Sequence, residues 1–427
     1  MHAHEWCFIV VMDNLNAVTS TALPAFSQLS EASMEGVLEL VRTFGNRSKP
    51  KPSSPLPEEL CRQFSLAEMK IATNNFDADL VAGEGGFGRV YKGFIDDCNR
   101  TIAIKRLKLK RGQDLGKNLR TEMVLLCQLH HPNLIRLIGY CIDEGVNIVH
   151  EFMANGDLSR KLHCNDHDRL SWKQRLKICI GVARARHYLH TGVKQTIIHG
   201  NMKPANILLD KNWEAKLSDF TISNILPPGF KFMETEFMET EFMEAEFMET
   251  RGGTSSTVCC GTCGYLDPQF FFKGKLSDKI DVYSFGVVLL EVLSGRKAFE
   301  WMEEPHCLPV WVKKCIREGT INKIIDPYLM GKIAPECFKI YIDIAISCVR
   351  INREARPTMG EVELILEHSL ELQQSADAAM KDIDPTGDVC IYPIDEYTCN
   401  DSSGDASPPI FETYSSSMPE LEEFIRD

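Results

Sequence analysis

Gly83-Glu-Gly85-Gly-Phe-Gly88-Arg-Val90, followed by Ile102-Ala-Ile-Lys105, is the stretch from which the fold can be read. A G-x-G-x-x-G loop belongs to a dinucleotide-binding unit only when a helix follows at once. Here Val90, Lys92 and Phe94 alternate as in a strand, and Thr101–Lys105 reads as a second one. The glycines therefore sit in a loop between strands. Glycine suits a loop whose amides must approach phosphate oxygens closely. Gly112–Leu129 reads as a helix, and Glu122 in it can hold Lys105 by an ion pair. The bland alternative is a solvated surface pair, but it does not account for the order of glycine loop, lysine strand and glutamate helix.

Working outward, strands give way to helices at Trp172–His190, Asp278–Leu293, Glu336–Val349 and Thr358–Gln374. The expected fold class is α+β, with a small β-rich lobe and a larger helical lobe. The expected domain runs over 64–374, dividing near residues 152 and 153. Before it lie residues 1–60, with an amphipathic pattern over Glu31–Phe44 and a proline-rich linker at Lys49–Pro57. After it, residues 377–427 read as an acidic disordered tail.

The 427 residues are 44% hydrophobic and 25% charged, which excludes collagen-like and wholly disordered classes. The net charge of -13 is concentrated. Residues 377–427 contribute -11 and residues 232–251 contribute -6, so the remainder is about +4. A nearly neutral body argues against nucleic-acid binding. The longest early apolar run, Trp6–Met12, is too short for a membrane helix. The 16 cysteines are irregularly spaced, as expected of reduced thiols in a cytoplasmic protein. Residues 232–251 repeat Phe-Met-Glu-Thr-Glu with period five, which suits neither helix nor strand. The repeat reads as a flexible insertion, with a docking peptide built on its four Phe-Met pairs as the alternative.

Several further stretches occur in order: Phe64–Phe76, Leu137-Ile-Gly-Tyr-Cys141, Tyr188-Leu-His-Thr-Gly192, Gly264-Tyr-Leu-Asp-Pro268, Asp281-Val-Tyr-Ser-Phe-Gly286 and Arg356-Pro-Thr-Met359. From about Phe64 to Gln374 the chain resembles plant receptor-like protein kinases, nearest to the cytoplasmic domain of the malectin-like, FERONIA-type members. The resemblance implies a bilobal kinase fold that uses ATP and Mg²⁺. It implies that Gly83, Gly85 and Gly88 cover the phosphates and that Lys105 and Glu122 work as a pair. Val90, Ala103 and Leu208 would sandwich the adenine, Met153 would be the hinge, and His150 the gatekeeper, packed and neutral. Asn206 and Asp219 would hold Mg²⁺, and Lys203 would meet the transferred phosphate.

The departures cluster on phosphotransfer. His199-Gly-Asn-Met-Lys203 has Asn201 where similar kinases carry a catalytic aspartate. An amide does not accept a proton usefully near pH 7. Gly200 replaces an arginine, and Asp219-Phe-Thr221 lacks the glycine of D-F-G. The acidic insertion at 232–251 lies inside the activation segment. Gln269 replaces a glutamate that would pair with Arg356, leaving at most a hydrogen bond. The expectation is a signalling protein that binds Mg·ATP and transfers phosphate weakly or not at all, acting through other signalling proteins, receptor kinases among them. Two alternatives stay open: an active serine/threonine kinase that works by positioning alone, and a module that ignores nucleotide. Cys259, Cys260 and Cys263 lack the second pair that a zinc site needs. The basic run Lys105–Arg111 reads as a solvated loop.

Overall fold

The computed structural model describes residues 61–85, 88–96, 100–107, 123, 125–143, 145–163, 169–220, 223–226, 233–234, 262–273, 275–300, 306–383 and 391–393. The expected helix at Glu31–Phe44, the linker, Glu122, Thr221 and most of the period-five repeat lie outside them.

The first lobe begins with β1 (Arg62–Gln63) and α1 (Leu66–Ala72). Ser65 starts α1 because its hydroxyl accepts from the Glu68 amide while the Glu68 carboxylate accepts from the Ser65 amide. This reciprocal cap satisfies two donors that a helix start leaves orphaned. The sheet continues with β2 (Val81–Gly85), β3 (Gly88–Ile95), β4 (Arg100–Leu107), β5 (Leu137–Cys141) and β6 (Asn147–Glu151). Its spatial order is β1-β5-β6-β4-β3-β2, with β1 parallel to β5.

Alternation divides the sheet into two faces. Tyr91, Ile95, Ile102, Ile104 and Val149 are buried with Phe64 and Met69 from the α1 side. The expected alternation of Val90, Lys92 and Phe94 is therefore present, but these residues form the half-buried face. Register then assembles the site. Val90 lies opposite Lys105, Lys92 opposite Ala103, and Ala103 opposite His150. Directly opposed residues share a face, so all five look toward the second lobe's side of the sheet. Gly88 closes the β2–β3 turn at φ 140°, where an added Cβ would collide with the Arg106 carbonyl oxygen.

The second lobe is helical: α2 (Leu158–His163), α3 (Trp172–Thr191), α4 (Pro268–Lys273), α5 (Asp278–Ser294), α6 (Leu308–Arg317), α7 (Pro335–Cys348) and α8 (Met359–Ile383). Every residue of α5 from Ile280 to Ser294 is buried. A helix buried on every side belongs at a centre, and α5 is the post around which the lobe packs. Short paired strands carry the site loops: β7 (Ile197–Ile198) with β10 (Asn224–Ile225), and β8 (Ile207–Leu209) with β9 (Ala215–Leu217). A further pair joins β11 (Met233–Glu234), in the first repeat unit, to β12 (Lys275–Leu276).

The packed body outruns the boundary expected at residue 374. Helix α8 continues to Ile383. The Asp377 carboxylate, expected to open the tail, accepts from Lys173 at 2.7 Å, Gln373 at 2.8 Å and the Tyr392 hydroxyl at 2.8 Å. Tyr392 itself is buried against the main core. Net acidity hid this, because one aromatic ring with a carboxylate partner outweighs the composition around it. Among the described residues, no helix is long and apolar enough to cross a membrane.

Candidate active site

The loop between β7 and β8 carries His199, Gly200, Asn201 and Lys203, and the loop after β9 carries Asp219 and Phe220. The first of them is held from below by Asp281 at the start of α5. Its carboxylate accepts the His199 amide at 2.9 Å and the Gly200 amide at 3.0 Å, and it pairs with the fully buried Arg186. Gly200 adopts φ 76°, a left-handed backbone that glycine takes at no steric cost. The His199 ring accepts the Asn201 amide at Nδ1, 3.2 Å, and donates from Nε2 to the Ser218 carbonyl, 2.9 Å. That pattern fixes one neutral tautomer. Burial, helped by the Arg186 charge, pushes the His199 pKa down to about 3.

Five of the expected residues, Lys105, Asn201, Lys203, Asn206 and Asp219, meet in one chain of polar contacts. Lys105 Nζ lies 3.1 Å from Asp219 Oδ1. Asn201 Nδ2 donates to the other oxygen of Asp219, Oδ2, at 2.8 Å. The Thr262 hydroxyl donates to Asn201 Oδ1 at 3.3 Å and accepts from Lys203 Nζ at 2.9 Å. Asn206 Nδ2 donates to the Asn201 carbonyl at 2.7 Å, which orients the amide and leaves Oδ1 as the atom to present to a cation. Asp219 sits at φ 68°, a conformation costly for a residue with a Cβ and maintained here by bonds to both carboxylate oxygens. An asparagine at 201 is thus accommodated as a donor toward Asp219, where a second carboxylate would repel it.

Of the residues expected to meet adenine, Val90, Ala103 and Leu208 are each half-buried and Met153 is buried. His150 is buried, and its pKa is pushed down to about 3 by burial and then by the Lys105 charge. It is the packed neutral side chain expected at that position. Gly83 and Gly85 have open space around them: an added Cβ would meet nothing nearer than Arg160 Nη2 at 3.9 Å for Gly83, and nothing within 4 Å for Gly85. Arg160 on α2 reaches across to donate to the Ala82 carbonyl at 3.4 Å, a contact between lobes that no local pattern announces.

Arg356 differs from expectation. Its partner is Asp267, which accepts two parallel bonds at 2.7 and 2.8 Å, with both side chains fully buried. The remaining Arg356 donors go to the carbonyls of Arg350, Lys279 and Ile351. Gln269 contributes only its backbone amide, to Asp267 Oδ1 at 3.0 Å. The arginine is saturated without residue 269. Sequence reading passed over Asp267 and Thr262 because each acts through a partner far along the chain. The signal available was their place in the stretch that ends at Gly264-Tyr-Leu-Asp-Pro268.

The comparisons agree with this arrangement. A protein kinase domain profile matches residues 77–370. Receptor-like protein kinase FERONIA of Arabidopsis thaliana is 42% identical over 360 residues, covering 83% of this chain and 38% of that protein. Receptor-like protein kinase ANXUR2 from the same plant is 42% identical over 365 residues, covering 84% of this chain and 39% of the relative. The chain thus spans less than two fifths of the length of these relatives. With a sheet-built first lobe, a helical second lobe and the kinase loops meeting at Asp219, the chain belongs to the protein kinase family, among the plant receptor-like kinases.

Proposed function

We propose that this chain is a signalling module that binds Mg·ATP between its lobes and transfers phosphate weakly or not at all. The single observation carrying this reading is the state of Asn201. Both ends of its side chain are committed, the amide to Asp219 and the oxygen to Thr262, and neither end can take up a proton. Losing a positioned base costs roughly 10²–10⁴-fold in rate. The residues that would hold the nucleotide fit the group: Lys105 beside Asp219 supplies a phosphate contact, and Asp219 with Asn206 supplies oxygen donors for a hard cation. The open surroundings of Gly83 and Gly85 support the same reading, since the fold itself leaves space above both. Partners are other signalling proteins, receptor kinases included, met in the cytoplasm or at the membrane where such partners reside.

Thermal shift and phosphotransfer on one sample test this. Mg·ATP should stabilise the protein, by about 2.7 kcal/mol when it stands a hundredfold above Kd. Lys105→Met should abolish most of that gain. No shift at saturating Mg·ATP, with calorimetry also silent, would favour a nucleotide-independent module. Robust phosphotransfer that disappears in Lys105→Met would establish an active kinase.

Asn201→Asp should restore transfer only partly, by about tenfold, below the usual worth of a base, because Gly200 and the acidic insertion are unchanged. It should also lower Tm in the absence of Mg²⁺. The substitution replaces a 2.8 Å hydrogen bond to Asp219 with two carboxylates in contact, which resist ionising together. Added Mg²⁺ should recover the loss. A Tm equal to wild type in chelator would contradict the observed Asn201–Asp219 geometry.

A further inference from the structure

Beyond the end of α8, residues 391–393 lie against the helical lobe. Ile391 is 70% exposed and Pro393 is exposed, but Tyr392 between them is 7% exposed and joins the main core. The chain enters the lobe here through a single aromatic ring. The Tyr392 amide donates to the Gly331 carbonyl at 2.8 Å, and its hydroxyl donates to Asp377 Oδ1 at 2.8 Å. The acceptor is held in place by its neighbours. Lys173 on α3 donates to Asp377 Oδ2 at 2.7 Å, and Gln373, one turn earlier on α8, donates to Oδ1 at 2.8 Å. Gln373 is fixed in turn, since its Oε1 accepts the Ala334 amide at 2.8 Å. A buried hydroxyl needs an acceptor, and this seat gives a phenol a carboxylate.

We propose that Tyr392 is a phosphorylation site, and that its seat at Gly331 and Asp377 holds the phenol but rejects the phosphate ester, so that phosphorylation releases residues 391–393 from the helical lobe. A tyrosine-directed protein kinase supplies the step. The Tyr392 oxygen attacks the γ-phosphorus of ATP, and a new P–O bond forms. The bond between that phosphorus and the oxygen bridging to the β-phosphate breaks, ADP leaves, and the phenol proton passes to the base of that kinase.

The rejection follows from charge and burial. Esterification removes the hydrogen that Tyr392 donates to Asp377 and sets a group of charge about -1.5 to -2 beside a carboxylate. Repulsion and the cost of burying the charge act in the same direction. Lys173 is the cation of the cluster, but its side chain is 48% exposed against 13% for Asp377. Its charge is therefore the better screened of the two. The docked hydroxyl is buried against Asp377, so transfer takes place on the released form. The phosphate then prevents return, and the population moves toward release. Opening is local, because the chain is exposed on both sides of the one docked ring.

The experiment uses the full chain with phosphotyrosine placed at 392 by amber-codon incorporation. Its hydrogen exchange is compared with that of the unmodified chain, Tyr392→Phe and Tyr392→Ala. The reporters are the Tyr392 amide region and residues 377–383 at the end of α8. Exchange there should rise about tenfold in the phosphorylated chain, the worth of a buried hydrogen-bonded group, and match Tyr392→Ala. Tyr392→Phe, which keeps the ring and loses only the hydroxyl, should rise less. Exchange in the phosphorylated chain equal to that of the unmodified chain or of Tyr392→Phe would overturn the proposal. Slower exchange would also overturn it, by showing that the phosphate pairs with Lys173 and tightens the seat. In parallel, the unmodified chain is incubated with Mg·ATP and a tyrosine-specific kinase domain and mapped by mass spectrometry. Phosphate should appear on Tyr392, and its absence there while other tyrosines of the chain are modified would overturn the site. Should Tyr392→Ala fail to fold, the comparison with Tyr392→Phe decides.

Discussion

Asp267→Ala should destabilise the protein by about 3–5 kcal/mol, the usual cost of removing one partner from a buried ion pair. Arg356 would be left in a fully buried position with both of its bonds to a carboxylate unmade. Carbonyls of Arg350, Lys279 and Ile351 would still accept from it, but they carry no compensating charge. Denaturant unfolding measures the loss. Arg356→Met should cost a comparable amount, and the double variant clearly less than the sum, because each single change strands the other partner. Gln269→Glu supplies the sharper contrast. Restoring the carboxylate expected from similar kinases should change stability by no more than about 0.5 kcal/mol, as for an ordinary surface substitution, since Arg356 has no donor left for it. A Gln269→Glu variant that rescues Asp267→Ala would show that position 269 can take over the pairing. Asp267→Ala at under about 1 kcal/mol, within the range of an ordinary hydrogen bond, would refute the buried pair.

Acidification from pH 7.5 to 5 should lower stability by about 4 kcal/mol through two histidines. His150 and His199 have folded-state pKa values pushed down to about 3, chiefly by burial. In the unfolded chain each returns to about 6.5. Below that value the unfolded state binds more protons than the folded one, so stability falls as pH falls. The contribution is complete above about pH 6.5 and declines by about 1.4 kcal/mol per unit per histidine below it. The loss has physical causes at each site. A protonated His199 would have to donate from Nδ1, which now accepts the Asn201 amide. A protonated His150 would sit buried facing the Lys105 charge, with only the Arg136 carbonyl and the more distant Asp219 in its favour. Urea midpoints at pH 7.5 and 5 test this, and His150→Met should remove about 1.4 kcal/mol per pH unit of the slope, the remainder staying with His199 and with His190, whose pKa burial also lowers. Between these pH values most carboxylates stay ionised, which keeps the histidine effect separable. Equal midpoints at both values, or a slope untouched by His150→Met, would remove burial of these rings as the cause.

The architecture was legible because its signals are local. Period-two alternation at Val90–Phe94, glycines that a turn requires, and a helical pattern over Asp278–Leu293 each constrain the backbone within a few residues. Ordered motifs then named Lys105, Asn201, Lys203, Asn206 and Asp219 as one site; in the structure Asp219 meets Lys105 and Asn201 directly, Asn206 bonds the Asn201 carbonyl, and Thr262 bridges Asn201 to Lys203. The N-terminal Ser65–Glu68 cap is equally local, since three residues separate its partners.

What tertiary structure alone decided is the choice among partners that sequence makes equally available. Arg356 had two carboxyl or amide candidates within three residues, Asp267 and Gln269, and only packing shows that Asp267 faces it. Composition assigned Asp377 and Tyr392 to a solvated tail, yet Lys173 and the main core claim them. Sequence by itself determined the elements, the glycine loop and the loss of a carboxylate at 201. The fold determined which charges and amides meet, because short-range contacts between distant segments depend on register and packing, which no local pattern encodes.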